Sequence, residues 1–165
     1  EVSEKLSKES PCYMCARMRR GSLYSKAQEL GCNKLALGHH FDDVIETTML
    51  NILMSGSFKT MMPKLKSDNF ENMELIRPMF LIREDYIIRW RNYTGLNPLD
   101  CACEVAAKKT SGSRFMVKQL ISEMKEYNDV VDINIFRAAE NVHADAILGW
   151  KKDGSYHNFL DNYDI

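Results

Sequence analysis

The spacing of apolar residues along the chain predicts alternating helices and short strands. Apolar positions recur with a helical period in five segments, at about 11–30, 43–54, 83–93, 113–127 and 130–142. Two short apolar runs, at 34–37 and 74–76, predict strands, and the first is expected to be buried. The segment 55–72 is predicted as a long polar loop, and the tail from 151 onward gives no clear pattern. A buried strand between helices favours a parallel α/β architecture.

The junction after the first predicted strand carries the densest set of polar side chains. Gly38-His39-His40-Phe41-Asp42-Asp43 lies where a parallel sheet places its ligands, beyond the carboxyl end of a strand. Gly38 would let a ligand approach the backbone closely. Asp42 could instead cap the next helix. Capping explains one carboxylate, so we expect a functional role for Asp43, whereas the histidines could equally be hydrogen-bonded structural residues.

Composition and charge exclude only a few classes of function. The chain has 165 residues, 45% hydrophobic and 27% charged, which is typical of a globular protein with one core. A net charge of −1 argues against a strongly basic nucleic-acid binder, although a local basic face could bind RNA. No apolar run is long enough to predict a membrane span or a signal peptide. We therefore expect a cytoplasmic protein without a membrane partner.

Five cysteines are present, at positions 12, 15, 32, 101 and 103. An odd number of cysteines in this composition argues against a disulfide framework. Metal or redox chemistry therefore better accounts for the two clustered pairs. Four thiolates could close a structural zinc site, whereas three would leave one metal vertex open for chemistry. The tight Cys101-x-Cys103 spacing favours one ligand from that pair. Cys32 is expected to be a small buried residue.

The order of short motifs resembles the tRNA 2-thiocytidine synthetases, which belong to the PP-loop (N-type) ATP pyrophosphatase superfamily. The motifs extend from Pro11 to about Val142 and are Cys12-x-x-Cys15, Arg17, Arg19-Arg20-Gly21, Leu37-Gly38-His39-His40-x-Asp42-Asp43, Pro63-Lys64-Leu65, Arg77-Pro78 and the later cysteine. The resemblance implies a Rossmann-like α/β fold (adenine nucleotide alpha hydrolase-like), a parallel sheet with flanking helices. Residues 1–98 would be the C-terminal part of the PP-loop domain. Residues 99–165 would carry the second cysteine pair and a helical region that is not an independent domain.

The resemblance also implies an activity. Members of this family bind ATP and Mg²⁺, adenylate the C2 oxygen of a cytidine in the tRNA anticodon loop, and let sulfur displace AMP. A [4Fe–4S] cluster held by three cysteines carries the incoming sulfur on its open iron. The implied partners are tRNA and a sulfur donor protein or sulfide. A homodimer is a further expectation, because an incomplete sheet exposes an edge.

Residue roles follow from the resemblance position by position. Cys12 and Cys15 would hold the cluster, with Cys103 as the third ligand and Cys101 as its alternative. The residues that would approach the nucleotide are Gly38, His39 and Asp42. Asp43 would assist metal binding or activation, and Arg19 would lie near the phosphates.

The superfamily's Ser-Gly-Gly-x-Asp-Ser loop is absent from this chain. Neither Ser55-Gly56-Ser57 nor Ser111-Gly112-Ser113 matches it. In the family this loop precedes the Cys-x-x-Cys pair, so the expectation is a fragment that lacks the first strands and could be inactive alone; a degenerate homologue is the other account. Two alternative functions stay open: a non-catalytic, cysteine-rich zinc-binding module, or another PP-loop ATPase acting on a different substrate.

Overall fold

A computed structural model describes residues 11–98 and 112–163, and within these ranges it contains five α-helices and five strands. In chain order they are α1 Pro11–Glu29, β1 Lys34–Ala36, α2 Phe41–Ser55, β2 Lys64–Lys66, β3 Glu74–Ile76, α3 Glu84–Thr94, α4 Ser113–Tyr127, α5 Val131–Ala138, β4 Gly149–Lys152 and β5 Ser155–Asn158. Two short 3₁₀ helices cover Ala144–Ala146 and Phe159–Asn162. No helix within the described ranges is long and apolar enough to cross a lipid bilayer.

The first three strands form one mixed sheet in the order β1-β3-β2. β1 and β3 are parallel, with Leu35 opposite Leu75, as the α/β prediction requires. β2 pairs antiparallel to β3, and its Leu65 faces the same Leu75. An ion pair of 2.9 Å between Lys64 and Glu74 also joins these two strands. The prediction of an uninterrupted loop over 55–72 is therefore wrong, because β2 lies within that segment.

α1 packs on this sheet through a small aromatic and aliphatic core. Tyr24, Met73 and Leu75 are buried there. The rings of Tyr24 and Phe70 are stacked with their centroids 4.9 Å apart. This core fixes α1, which begins with the first cysteine pair, beside the strands.

A second core joins α2 to the C-terminal helices. Its buried residues are Phe41, Ile45, Val117 and Ile121, from α2 and α4. Phe136 of α5 stacks on Phe41 with ring centroids 5.1 Å apart. α2 therefore has its N-terminus beside the strand ends and its apolar face against α4 and α5.

Three further expectations differ from the structure. β1 is only half buried, because Lys34 and Ala36 are exposed at the edge of the described sheet. Cys32 is exposed rather than buried. The last predicted helix ends at Ala138 instead of continuing to Val142.

The C-terminal tail forms a hairpin of β4 and β5. Its turn contains Asp153 and Gly154, both with positive φ, at 50° and 80°. An Asp-Gly pair in this conformation is typical of a two-residue hairpin turn. Trp150 and His157 stack across the two strands, with ring centroids 5.2 Å apart.

Candidate functional site

The carboxyl ends of β1 and β3 meet at one edge of the sheet. Because the two strands are parallel, the residues that follow them, Gly38-His39 and Arg77, lie side by side. Arg77 Nε donates a hydrogen bond of 3.3 Å to His39 Nδ1. A Cβ at position 38 would lie 3.3 Å from the end of the Met79 side chain, so the backbone at Gly38 is closely approached. The structure thus brings the predicted residues Gly38 and His39 together with an arginine.

Arg77 was not among the predicted site residues, although it directly follows a predicted strand. Its side chain is buried, with 8% of the residue exposed. It donates a hydrogen bond from Nη1 to the carbonyl oxygen of Met62, and its backbone N–H donates to Pro63 O at 2.9 Å. Burial, and next the positive charge of Arg20, lower the pKa of Arg77. Arg77 therefore holds the 62–63 segment and His39 in fixed positions.

His39 is held in its neutral form. Burial is the main reason that the pKa of His39 is lowered, and the charge of Arg77 acts in the same direction. Since Nδ1 accepts the hydrogen bond from Arg77, the ring proton resides on Nε2. At neutral pH His39 therefore offers an N–H donor rather than a base.

Asp43 is the carboxylate that caps α2. Its Oδ2 accepts from the backbone N–H of His40, the N-cap residue, at 3.1 Å. Its Oδ1 accepts from Arg114 Nη1 at 2.9 Å. The expectation that Asp42 caps this helix is wrong, because the helix begins at Phe41 and the capping oxygen belongs to Asp43.

Asp42 caps a different helix. Its Oδ2 accepts from the backbone N–H of Glu84 at 2.7 Å, in the first turn of α3. The same oxygen lies 3.7 Å from His40 Nδ1. Nδ1 of His40 is buried and has no hydrogen-bond partner within the part of the chain that the structure describes. Asp42 therefore fixes α3 to the start of α2.

Arg114, at the start of α4, contacts the side chains of the first turns of α2. It donates to Asp43, to Glu46 at 2.9 Å and more weakly to Thr47 at 3.4 Å. Glu46 is buried, and that burial raises its pKa, while the charge of Arg114 opposes the shift. No local pattern in the sequence predicts this contact, because positions 43 and 114 are far apart along the chain.

α1 carries thiol and basic groups, and the charge of one of them, Arg20, acts on residues at this edge of the sheet. Positions 12, 15 and 19 are spaced i, i+3 and i+7 in α1, which places them on one face of the helix. The thiol of Cys15 is exposed, as is Arg19. Arg20 is the arginine of this helix whose charge contributes to the lowered pKa of both His39 and Arg77.

An open groove of about 410 Å³ lies between α1 and the segment after β2. Arg17, Arg20 and Lys66 line it, together with Asp68 and Phe70. Three cations against one carboxylate leave the lining with net positive charge, which suits a polyanion.

The predicted cluster ligands are only partly described. Cys101 and Cys103 lie outside the described residues, and of the first pair the structure describes the side chain of Cys15 alone. Among the side chains that the structure describes, no three from His, Cys, Asp or Glu are arranged to hold a metal ion. An exposed thiol such as that of Cys15 is a suitable ligand for iron or zinc, so position 15 fits the predicted role.

No family model matches the chain. Among curated proteins, it is 40% identical over 139 residues to the tRNA-cytidine(32) 2-sulfurtransferase of Geobacter sulfurreducens, a match that covers 84% of this chain and 53% of that protein. It is 43% identical over 126 residues to the protein of the same name from Syntrophotalea carbinolica, covering 76% and 48% of the two chains. The chain thus spans about half the length of the curated relatives it matches.

Among solved structures, the chain is similar to the U34-tRNA thiolase NcsA from Methanococcus maripaludis with its [4Fe-4S] cluster. The TM-score is 0.62 at 22% identity, and the match covers 86% of this chain and 48% of that chain. At this identity the likeness establishes the fold, and it confirms the predicted α/β class.

Proposed function

We propose that this chain, a homologue of the tRNA-cytidine(32) 2-sulfurtransferases over most of its length, carries part of an ATP-dependent tRNA thiolation enzyme. The observation that carries the proposal is the 40% identity to the Geobacter sulfurreducens relative over 84% of the chain. The division into residues 1–98 and a dependent region 99–165 remains part of the proposal. Its support is that α4 and α5 bury their apolar side chains on α2.

The proposed reaction has two steps. The C2 oxygen of an anticodon-loop cytidine attacks the α-phosphorus of ATP, and pyrophosphate leaves. A sulfur nucleophile then attacks C2, the C2–O bond breaks, and AMP departs. Fixed cations of the protein would stabilise the phosphate charge that develops in the first step, and a bound Mg²⁺ would supply Lewis-acid charge there. On this chain Arg19 would supply part of that charge, and Arg20 and Arg77 would add to it. His39 would supply an N–H donor, and Asp43 would assist metal binding.

A [4Fe–4S] cluster would supply an open iron on which the incoming sulfur is held. Cys12 and Cys15 would be two of its ligands, with Cys103 as the third or Cys101 in its place. The support from the structure is the exposed thiol of Cys15 on α1. α1 also carries Arg20, whose charge influences His39 and Arg77, so the thiol-bearing helix adjoins the proposed nucleotide site.

tRNA is the proposed macromolecular substrate, with a sulfur donor protein or sulfide as the second. The groove lined by Arg17, Arg20 and Lys66 offers cations for the RNA backbone. A homodimer is proposed because β1 is an edge strand of the described sheet. A cytoplasmic location is proposed because the proposed substrate is tRNA.

A chimera tests the proposal directly. This chain replaces its matched region in the Geobacter sulfurreducens relative, which keeps the rest of its own sequence. The chimera is reconstituted anaerobically with iron and sulfide and supplied with tRNA, ATP and Mg²⁺. We expect 2-thiocytidine in the tRNA by mass spectrometry. A Cys15→Ala variant should lower the product at least about a hundredfold, the effect of losing about 2.7 kcal/mol of barrier reduction.

Cys32→Ala is the matched control, because Cys32 is an exposed cysteine outside both pairs. It should leave the yield of 2-thiocytidine unchanged. Iron, sulfide and zinc analysis of the same samples separates the rival functions. Stoichiometric zinc without iron, together with no product, would favour the zinc-binding module, whereas product on another nucleobase would favour a different PP-loop enzyme.

A further inference from the structure

A pocket of about 250 Å³ lies between α2, α5 and the segment that precedes β2. Its wall is mainly apolar and includes Met61, Met62, Pro63, Phe80 and Phe136. Among the described residues that line it, Glu140 is the one with a charge. The volume is slightly below the about 300–1,000 Å³ of pockets for drug-sized ligands, so the pocket suits a single planar ring.

The pocket shares its wall with the candidate functional site. Arg77 holds one side of the wall, because its guanidinium donates to the carbonyl oxygen of Met62 and its backbone N–H donates to Pro63 O at 2.9 Å. Val44, which lines the pocket from α2, directly follows Asp43. A ring bound in the pocket would therefore lie next to the residues that are proposed to act on the nucleotide.

The lining matches the way in which proteins bind a base that has left its stack. Such a base packs on aromatic and apolar side chains, and hydrogen bonds along its Watson–Crick edge identify it. Phe80 and Phe136 lie edge to face with ring centroids 5.7 Å apart, so each fixes the other in the wall. A carboxylate accepts hydrogen bonds and therefore selects a base with an amino group. Glu140 would accept from N4 of cytosine, whereas O4 of uracil offers it no donor.

We propose that this pocket receives the target cytosine of the RNA, with Glu140 accepting a hydrogen bond from the N4 amino group. The inference rests on the proposed function, which supplies the RNA substrate, and it makes Glu140 a residue that determines base specificity. It also gives Pro63, part of the Pro63-Lys64-Leu65 motif, a role as pocket wall. Adenine carries an amino group too, but its two fused rings are larger, so we assign the pocket to the RNA base.

NMR of methionine methyl groups tests the proposal on the full chain, without any assay of thiolation. The methyl resonances of Met61 and Met62 are followed while a short RNA loop is added that carries either cytosine or uracil at one position. Both resonances should shift with the cytosine RNA. Its Kd should be at least about tenfold lower than that of the uracil RNA, the effect of one hydrogen bond to a charged group.

Glu140→Gln should remove most of this preference, because an amide can accept from cytosine N4 or donate to uracil O4. Glu126→Gln is the matched control, since Glu126 is an exposed glutamate of α4 outside the pocket. It should keep the preference of the unmodified chain. An unchanged preference in folded Glu140→Gln would overturn the role of this carboxylate and with it the proposal.

Ala139→Leu tests occupation of the pocket independently of Glu140. Ala139 lines the pocket just after the end of α5 and is only half buried, so a larger side chain there fills the pocket. Binding of the cytosine RNA should weaken at least about tenfold, as expected when a clash excludes a ligand. Unchanged affinity in this variant, or no shift of Met61 and Met62 with either RNA, would overturn the proposal.

Two further outcomes separate the pocket from its alternatives. Shifts of Met61 and Met62 with AMP but not with the cytosine RNA would assign the pocket to adenine and overturn the proposal. The expected losses in Glu140→Gln and Ala139→Leu, without any 2-thiocytidine from the chimera, would support the pocket and count against the proposed function.

Discussion

Asp43 divides its two carboxylate oxygens between a helix cap and an ion pair. Oδ2 accepts from the His40 N–H and Oδ1 from Arg114. A metal ion at Asp43 would therefore have to share Oδ1 with Arg114 or displace it. The half-exposed position of Arg114 permits such a movement, because its solvent-facing guanidinium can be rehydrated at small cost.

Replacing Asp43 by Asn separates its role as a helix cap from its proposed role in metal binding. Asn is as good a capping acceptor as Asp, so the free energy of unfolding should change by less than about 1 kcal/mol. The lost charge should slow ATP-dependent adenylation at least about tenfold, the effect of about 1.4 kcal/mol in the barrier. Pyrophosphate release and tRNA binding are measured in the chimera, and tRNA binding should hardly change. A variant that loses only stability would reduce Asp43 to a helix cap.

α2 is the element that connects the site to the hydrophobic core. Its first turn carries Asp42 and Asp43, and its apolar face packs on α4. Val117 of α4 is fully buried in this interface, against Phe41 and Ile45. The position of the site carboxylates therefore depends on how α4 packs.

Val117→Ala should destabilise the chain by about 2 kcal/mol, because two buried methyl groups are removed and a cavity remains. Val142→Ala is the control at an exposed valine and should stay within about 0.5 kcal/mol of the unmodified chain. Urea unfolding followed by circular dichroism measures both. Equal stability of the two variants would show that α4 does not support α2 as the structure indicates.

The helices and the place of the site could be predicted from local sequence, whereas most of the contacts could not. Gly95 ends α3 with φ of 67°, as its sequence position predicts. β2, Lys64-Leu65-Lys66, has no apolar run and exists through its pairing with β3. The tail hairpin has a local turn signal, Asp153-Gly154 with positive φ at both residues, although the apolar pattern of the tail does not predict its strands.

In the site too, local sequence patterns predict where the residues lie but not which residues contact one another. The junction at 38–43 follows from strand and helix patterns, and it lies at the predicted sheet edge. Asp42 caps α3 because its carboxylate accepts from the distant Glu84 N–H. His39 accepts a hydrogen bond from Arg77, and Asp43 accepts one from Arg114. These residues are separated by tens of positions, so no local period reports them.

At the scale of the whole molecule, Asp132 connects three helices. This buried carboxylate of α5 accepts from Arg83 at the start of α3, at 2.5 Å, and from Lys125 of α4, at 2.7 Å. Arg83 also lies over the ring of Phe41, 4.8 Å from its centroid. The network therefore fixes α3, α4 and α5 around the start of α2.

This network should make stability depend on pH in the acid range. Burial opposes ionisation of Asp132, but the hydrogen bonds from Arg83 and Lys125 outweigh it and lower the pKa to about 2, from an ordinary value of 3.8. Because the pKa is lower in the folded chain, the stabilisation is fully present above about pH 4 and is lost as pH falls toward 2. The shift corresponds to about 2 kcal/mol.

Asp132→Asn should accordingly lower the free energy of unfolding at pH 7 by about 2 kcal/mol or more, since Arg83 and Lys125 lose their shared counter-charge. The difference from the unmodified chain should shrink between pH 4 and pH 2, where the native carboxylate itself becomes protonated. Urea unfolding of both chains at pH 7, 4 and 2.5 measures this difference in the free energy of unfolding. Asp129→Asn, at an exposed aspartate beside α5, should show no such trend. A difference that stays constant with pH would mean that the charge of Asp132 does not stabilise the helices, and that its packing and neutral hydrogen bonds do.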